Sequence, residues 1–523
     1  MTPTSHQTRN QRLAGAAAGL LAGTAGVAAA EAVSALLTGV TSPLLAVANR
    51  AVDAAPRPVK EWAIETFGSA DKIVLISGVI ATVAALAALA GVIGVRRSRV
   101  AVGIFLALSG VAAAAALTDR AATAPPALRL LPVVALVGVG LASLVVLLRP
   151  LDKPRARPPR EVDGDDLPAA FDRRAFLRSA LAVGAVAAAG GLATRALGDP
   201  AAAASRAGVT IPRPQSPAPP LPPGATLEVP GLTPYLTPNN AFYRVDTALR
   251  VPDVPVDTWT LRIHGMVDNE IELSFEDLLS RRLVERRITL TCVSNPVGGD
   301  LVGNATWIGV PIRELLAEAG VRDGADAVRS TSADDMTIGT PLQALTDDRD
   351  ALVAIAMNGE PLPLEHGFPA RMVVPGLYGY VSATKWLVDL EVTRFGAFDA
   401  YWTDRGYAEE APIKTSSRID VPRSFARVQA GTTPVAGVAW AQDTGIAKVE
   451  VRVDGGPWNE TRLADEDNIN TWRQWVWEWD ATPGAHDLEV RATDSSGYTQ
   501  TAERTPIAPD GSTGWDSVAV TVE

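Results

Sequence analysis

The chain has 523 residues, 47% of them hydrophobic and 20% charged, long enough for two or three domains and too apolar for a disordered protein. Its one cysteine, Cys292, excludes an intramolecular disulfide, a four-cysteine zinc site and a four-cysteine iron–sulfur cluster, and four histidines, His6, His264, His366 and His486, nearly exclude a redox metal held by several protein ligands. The net charge of −11 averages two unlike parts: residues 1–198 carry 20 Lys/Arg against 12 Asp/Glu, and residues 199–523 carry 27 against 46, an acidic balance that offers nucleic acid no basic footprint.

Residues 1–198 read as a membrane anchor with about five transmembrane helices, at about 13–38, 73–95, 100–117, 130–148 and 176–195. Three of these runs, Ile73–Val95, Val100–Leu117 and Leu130–Leu148, are uncharged and of spanning length. The first is Ala/Gly-rich and interrupted by Glu31, which reads as a carboxylate at headgroup level. Arg9 and Arg12, the Arg96, Arg97 and Arg99 cluster, and Arg149, Lys153, Arg155, Arg157 and Arg160 fall on one side of a four-helix crossing. That side is predicted to be cytoplasmic, with the amino terminus inside. The fifth run follows Arg173-Arg174-Ala175-Phe176-Leu177 and resembles a twin-arginine export signal, a route taken by folded, often cofactor-loaded cargo.

Residues 199–234 hold Pro-Arg-Pro, Pro-Ala-Pro-Pro and Leu-Pro-Pro-Gly and predict a stiff extended linker, with ordered structure resuming near Leu236. From 235 to 410, short β patterns at Trp259–His264, Ile288–Cys292 and Ala351–Met357 mix with helical ones at Phe275–Leu279 and Pro311–Glu318. The mixture, without regular strand–helix alternation, favours an α+β domain. From 411 to 523 the character is all-β. Lys448–Val453, Asp487–Ala492 and Ser517–Val522 alternate strictly, Asp454-Gly455-Gly456 marks a hairpin turn, and seven of the twelve tryptophans fall here. An immunoglobulin-like sandwich with an aromatic core is the expectation.

Cys292 ends a strand on which Ile288, Leu290 and Cys292 share a face, and Val-Ser-Asn-Pro-Val-Gly-Gly follows it. A strand-end sulfur beside a glycine-rich loop suits a metal, and equally a buried apolar filler. Three further constellations join amide, aromatic or basic groups to loop-forming Gly and Pro. They are Asn239-Asn240-Ala241-Phe242-Tyr243-Arg244, Asn358-Gly359-Glu360 running to His366-Gly367-Phe368-Pro369-Ala370-Arg371, and Tyr378-Gly379-Tyr380 with Ser382 and Lys385-Trp386. Arg and Lys of this kind suit a phosphorylated heteroaromatic cofactor, and singly each also suits a turn with a surface charge.

In this order, the four constellations and Asn304-Ala305-Thr306-Trp307-Ile308-Gly309-Val310-Pro311 closely resemble the sulfite oxidase family of molybdopterin enzymes over residues of about 235–523. Val438-Ala439-Trp440, Lys448-Val449-Glu450-Val451 and Asp454-Gly455-Gly456-Pro457-Trp458 resemble that family's immunoglobulin-like dimerisation domain. The resemblance implies that Cys292 is the one protein ligand to molybdenum and a catalytic residue. It further implies that Asn240, Tyr243, Arg244, His366, Arg371, Ser382 and Lys385 contact the molybdopterin and its phosphate, and that the chain pairs as a homodimer.

The family's sulfite-oxidising members place an arginine shortly after the cysteine, whereas Val293-Ser294-Asn295-Pro296-Val297-Gly298-Gly299-Asp300 has no basic residue. The resemblance therefore predicts an oxygen-atom transfer to or from a small sulfur compound, with a periplasmic methionine sulfoxide reductase and a non-enzymatic tethered adhesion or assembly module as alternatives. No histidine lies between residues 7 and 263, so neither a bis-histidine haem in the anchor nor an iron–sulfur cluster is expected. Electrons are expected to pass to or from a separate cytochrome or quinone-linked partner beside the bilayer, with the catalytic domain on the extracytoplasmic side of the cytoplasmic membrane.

Overall fold

The structure, a computed structural model, describes residues 5–37, 39–56, 59, 71–119, 122, 124–152, 173–197 and 201–523. It forms two compact units, residues 1–200 with 248–250, and residues 201–247 with 251–523.

In the first unit, among the described residues, four helices are long and apolar enough to cross a membrane: Gln11–Ala35, Val74–Gly94, Ser98–Thr118 and Pro126–Leu151. They coincide with four of the five predicted runs. The fifth run is also helical, over Arg173–Leu197, although it is not one of those four; its Ala/Gly-rich sequence is less apolar. The helix Ser5–Ala35 packs along helices Asp71–Gly94, Leu131–Asp152 and Arg173–Leu197. Small residues permit this approach, because a Cβ at Gly19 would lie 1.9 Å from the Ala87 carbonyl oxygen. Leu13, Ile80, Leu89, Leu106, Val111, Val134, Leu177, Leu181 and Leu192 all face outward and exposed. An apolar exterior of this extent is compatible with a lipid surround.

The second unit is β-rich. Its first sheet runs Ile271–Ser274, Thr260–Gly265, Leu387–Thr393, Ala327–Ser332, Thr337–Pro341, with one parallel pairing, Arg262 opposite Asp389. A second sheet runs Val284–Thr291, Val302–Pro311, Leu352–Met357, Glu360–Pro361, and Arg371–Val373 also pairs with Leu352–Met357. The expected helices form at Phe275–Ser280, opened by a Ser274–Asp277 capping box, and at Ile312–Ala319, with Pro311 at the N-cap. Mixed sheets interrupted by short helices match the α+β expectation.

Residues 411–523 supply two more sheets. One orders Ser416–Val421, Gly431–Trp440, Arg473–Ala481, Arg462–Leu463, and the other Arg427–Val428, Asp516–Val522, Gly484–Asp494, Ile446–Val453, Asn459–Glu460. Val435, Ala439, Trp475 and Trp479 from the first close on Val449, Val451, Leu488, Val490 and Val520 from the second, which makes a sandwich. Asp454 and Gly455, at φ of 51° and 67°, turn the expected hairpin. Trp472 departs from the aromatic-core expectation. It lies with Trp440 in the hydrophobic core of the preceding domain.

The proline-dense stretch differs from the linker expected. Ala201–Gly208 is a helix whose first amides donate to Asp253 (Ala202 N to Oδ1, 2.7 Å). Arg206 donates to the carbonyls of Pro361 and Leu362. Beyond it the chain is extended, as proline requires, yet it is bound. Gln215 N donates to Leu283 O at 3.0 Å, Glu285 N to Ser216 O at 2.8 Å, and Leu227 N to Gln474 Oε1 at 2.7 Å. Proline removes its own donor but leaves every carbonyl and every neighbouring amide available to an unpaired strand edge.

Candidate active site

Cys292 directly follows the strand Val284–Thr291, whose last residue pairs with Val302. Its amide donates to Leu301 O at 2.9 Å, so residues 293–300 form a closed loop. The loop is held from inside, with Asn295 N on Cys292 O (3.0 Å) and Leu301 N on Asn295 Oδ1 (2.9 Å). The sandwich holds it from outside, through Arg418 Nη1 on Gly299 O (2.8 Å) and Ser512 Oγ on Asn295 O (2.8 Å). Gly298, at φ of 76°, would place a Cβ 2.3 Å from Asp516 Oδ1, so the glycine there is required twice over. Cys292 itself is buried, and desolvation raises its thiol pKa despite the Ser294 amide that donates to Sγ at 3.4 Å.

One cavity is lined by Cys292 together with Tyr243, His366, Arg371 and Lys385. Five of the eight residues expected from the sequence are thus brought together. Arg371 comes from the strand beside Leu352–Met357, His366 from a short 3-10 turn before it, and Lys385 from the segment entering the first sheet. The site therefore lies where the two sheets of the domain meet. Gly367, at φ of 109°, allows this convergence, since a Cβ would stand 3.1 Å from both Arg371 Cβ and Lys385 Cα.

The other three predicted residues stand elsewhere. Asn240 lines a second, open groove with Arg206, Asn239, Asn358 and Glu360. Ser382 is fully buried and spends its hydroxyl on the carbonyls of Leu377 and Tyr378 at 3.0 and 2.9 Å. Arg244 is half exposed and pairs with Asp246 at 3.0 Å.

Arg371 is 5% exposed, and its guanidinium donates to the backbone carbonyls of Met372, His366 and Ala383. Among the described residues no carboxylate pairs with it, and it lies over the Trp307 ring at 5.2 Å. Burial lowers its pKa to about 10. Burial, and then the Arg371 charge, lower that of His366 to about 4, so this imidazole is neutral near pH 7. To donate to Asn239 O at 3.0 Å, the neutral ring must carry its proton on Nε2, which leaves Nδ1 as an acceptor. Lys385 Nζ stands 2.7 Å from Asp246 Oδ2 and 4.7 Å from the Trp386 ring centre. Tyr243 has its pKa raised by desolvation and by its nearness to Cys292.

These groups fit a molybdopterin. A buried guanidinium without a counter-carboxylate calls for an anion, which the cofactor's phosphate would supply, and a buried thiol with one weak donor is suited to a soft metal.

Residues 248–402 match the family model described as the oxidoreductase molybdopterin binding domain. Sulfite oxidase from Gallus gallus is 30% identical over 323 residues, covering 52% of this chain and 70% of that protein. The chain belongs to the sulfite oxidase family of molybdopterin oxidoreductases. The family's mitochondrial sulfite oxidase from Mus musculus is 30% identical over 324 residues, and the match covers 52% of this chain and 58% of that protein, little more than half its length. The family likeness extends to an uncharacterized oxidoreductase, YuiH, of Bacillus subtilis, 35% identical over 163 residues, 30% of this chain and 79% of that one. Among solved structures, the sulfane dehydrogenase SoxCD from Paracoccus pantotrophus covers 58% of this chain and 86% of that chain at 23% identity, with a TM-score of 0.49.

Family motifs did not lead to Asp246, Asp334, Met336, Trp402 and Tyr407, which also line the cavity. Asp246 lies two residues beyond a constellation already singled out and was within reach of sequence reading. Asp334, in the turn between Ala327–Ser332 and Thr337–Pro341, carries no local signal.

Proposed function

We propose that the protein is a membrane-anchored molybdenum-cofactor oxidoreductase that transfers an oxygen atom to or from a small sulfur compound. The single observation that carries this reading is the buried, carboxylate-free Arg371 in one cavity with the Cys292 thiol. Bound there, the cofactor supplies a two-electron metal centre able to accept or donate an oxygen atom.

The chain's residues act around it. Cys292 offers the thiolate, at the end of a strand fixed on both edges. Arg371 and Lys385 hold the phosphate, Arg371 with a fork that suits a tetrahedral anion. Neutral His366 presents Nδ1 as an acceptor for a ring N–H of the pterin. Asn240, Tyr243, Arg244 and Ser382 complete the set that the family resemblance assigns, Ser382 by fixing the turn before Lys385 rather than by direct contact. Phe242 packs edge-on to both Trp307 and His366 and lines the cavity.

Residues 411–523 are read as an immunoglobulin-like domain that pairs two copies. The anchor is read as multi-pass in the cytoplasmic membrane, amino terminus inside and catalytic domain outside, close to a separate cytochrome or quinone-linked electron carrier. The outward Leu177, Leu181 and Leu192 on helix Arg173–Leu197, with Phe176 and Val183 turned into the bundle, support a fifth span.

Elemental analysis of the detergent-purified protein tests the core of this reading. Molybdenum near one per chain is expected, falling to background in Arg371→Ala. A metal-free protein after cofactor-replete expression would refute it. Arg173→Lys with Arg174→Lys should leave the catalytic domain protected from protease added to intact cells. Continued cleavage would refute the export reading.

A further inference from the structure

The turn that carries His366 offers its backbone to the side chains of the site. Three successive carbonyls accept donors that line the cavity: Leu364 O takes the Trp386 indole N–H at 2.8 Å, Glu365 O takes Lys385 Nζ at 3.2 Å, and His366 O takes Arg371 Nη1 at 3.1 Å. Trp386 stands at φ of 50°, a costly conformation for a bulky residue, and its indole bond helps to hold it there. The places of Arg371 and Lys385 in the cavity therefore depend on where residues 364–366 lie.

The approach to that turn has few backbone ties of its own. Leu362 N donates to Ile355 O at 3.1 Å, but the strand before it, Glu360–Pro361, is two residues long, and Pro361 and Pro363 have no amide to give. Arg206 supplies the anchorage from another part of the chain. Its Nε lies 2.8 Å from Leu362 O and its Nη2 2.7 Å from Pro361 O, with Glu360 Oε2 at 3.0 Å. A planar fork on two adjacent carbonyls fixes direction as well as distance. The helix that bears it, Ala201–Gly208, is fixed in turn. Asp253 accepts the amides of Ala201 and Ala202 at 3.1 and 2.7 Å, and Ser205 Oγ accepts Val256 N at 3.0 Å. Ala202 is buried in the same cluster as Phe242, Trp307 and Leu362.

We propose that Arg206 is a positioning residue of the cofactor site. Through the backbone of residues 361–366 it sets where Arg371 and Lys385 stand, so the short helix that follows Arg173–Leu197 in the sequence belongs to the machinery that retains the cofactor. This rests on the assignment of Arg371 and Lys385 to the cofactor's phosphate. Arg206 itself does not line the cavity, and it falls outside residues 248–402, which the family model matches. The carbonyl contacts carry the effect, because Glu360 is 61% exposed and an ion pair of that kind contributes little.

The experiment compares the detergent-purified full chain with Arg206→Ala, Arg206→Lys and Glu360→Gln. Two quantities are followed: the rate of molybdenum loss on dialysis, by elemental analysis, and the amide hydrogen exchange of residues 362–367 in cofactor-free protein. Arg206→Ala should speed both about tenfold, the effect of one lost hydrogen bond to a charged group. Arg206→Lys, able to reach one carbonyl, should fall between, at about fourfold, and Glu360→Gln should stay within about twofold of the wild type. Exchange in the sandwich strands should not respond, although a general loss of stability would move it. Unchanged molybdenum loss or unchanged exchange at 362–367 in Arg206→Ala would overturn the inference, as would an equal effect of Glu360→Gln or a rise in exchange across the whole second unit. If the alanine variant does not fold, a lysine variant indistinguishable from the wild type in both measurements would overturn it instead. A wild type without molybdenum whose 362–367 exchange still responds to Arg206→Ala would overturn the cofactor reading, and the role in retention with it, while the anchorage of the turn would stand.

Discussion

Burial acts in opposite senses on the two residues at the centre of the site, pushing the Cys292 thiol up and drawing the Arg371 guanidinium down to about 10. Each shift disfavours the charged form, and a bound anionic cofactor and metal relieve both. Cys292→Ala should therefore cost little stability, about 1 kcal/mol in a denaturation curve, while molybdenum content and turnover fall to background. Retained activity would remove Cys292 from the site. His366 titrates near 4 when folded against an ordinary value of 6.5. The unfolded chain thus binds the proton first, and stability declines as pH falls from about 6.5 toward 4, by roughly 3 kcal/mol from this group. Denaturant unfolding of the cofactor-free protein at pH 7 and pH 4.5 should show a smaller pH loss for His366→Gln than for the wild type; equal losses would contradict the assignment.

At the scale of elements, the strand that presents Cys292 is a sheet edge completed by distant segments. Ser216 bonds at one end of it, and near the other Thr289 N donates to Asn470 O at 3.0 Å while Trp472 N donates to Thr289 Oγ1 at 2.8 Å. Arg287 on the same strand meets Asp467 in a two-pronged pair at 2.6 Å, with side chains 10% and 2% exposed. Removing one member of such a pair leaves a buried charge and typically costs 3–5 kcal/mol. Asp467→Ala should destabilise the protein by about that amount and lower its molybdenum content, although Asp467 is not among the residues lining the cavity. A variant with unchanged melting and full metal would show that the sandwich does not support the strand.

For the second unit as a whole, the sandwich is part of the catalytic framework as well as a neighbour to it. Trp440 and Trp472 lie in the oxidoreductase domain's core, and Gly511 N and O and Pro509 O belong to a loop that also meets Tyr378, Tyr380 and Lys414. Deleting residues 411–523 should therefore leave residues 201–410 unable to fold to a soluble, cooperatively melting form, as circular dichroism and gel filtration would report. A soluble truncated domain with native melting would contradict this.

Much of the chain's organisation was legible in the sequence because its signals are local. Alternation at Lys448–Val453 and Asp487–Ala492, the Asp454-Gly455 turn, the runs of spanning length and the motif around Cys292 each depend on residues within one element. The linker was misjudged because proline density reports the conformation of a segment and says nothing of its partners. Here extended backbone found the open edge of the Val284–Thr291 strand. Trp472 could not be assigned to a core by pattern, since two cores adjoin the strand Arg473–Ala481 that it precedes and only packing chooses between them. Composition, periodicity and motif order thus determined the apolar helices of the first part, the β-rich character of the rest and the family of this protein. Tertiary structure alone decided which of the expected residues share a cavity, which are spent on the backbone, and that Asp246 and Asp334 face that cavity, because charge balance in a pocket is a property of residues distant in the chain and close in space.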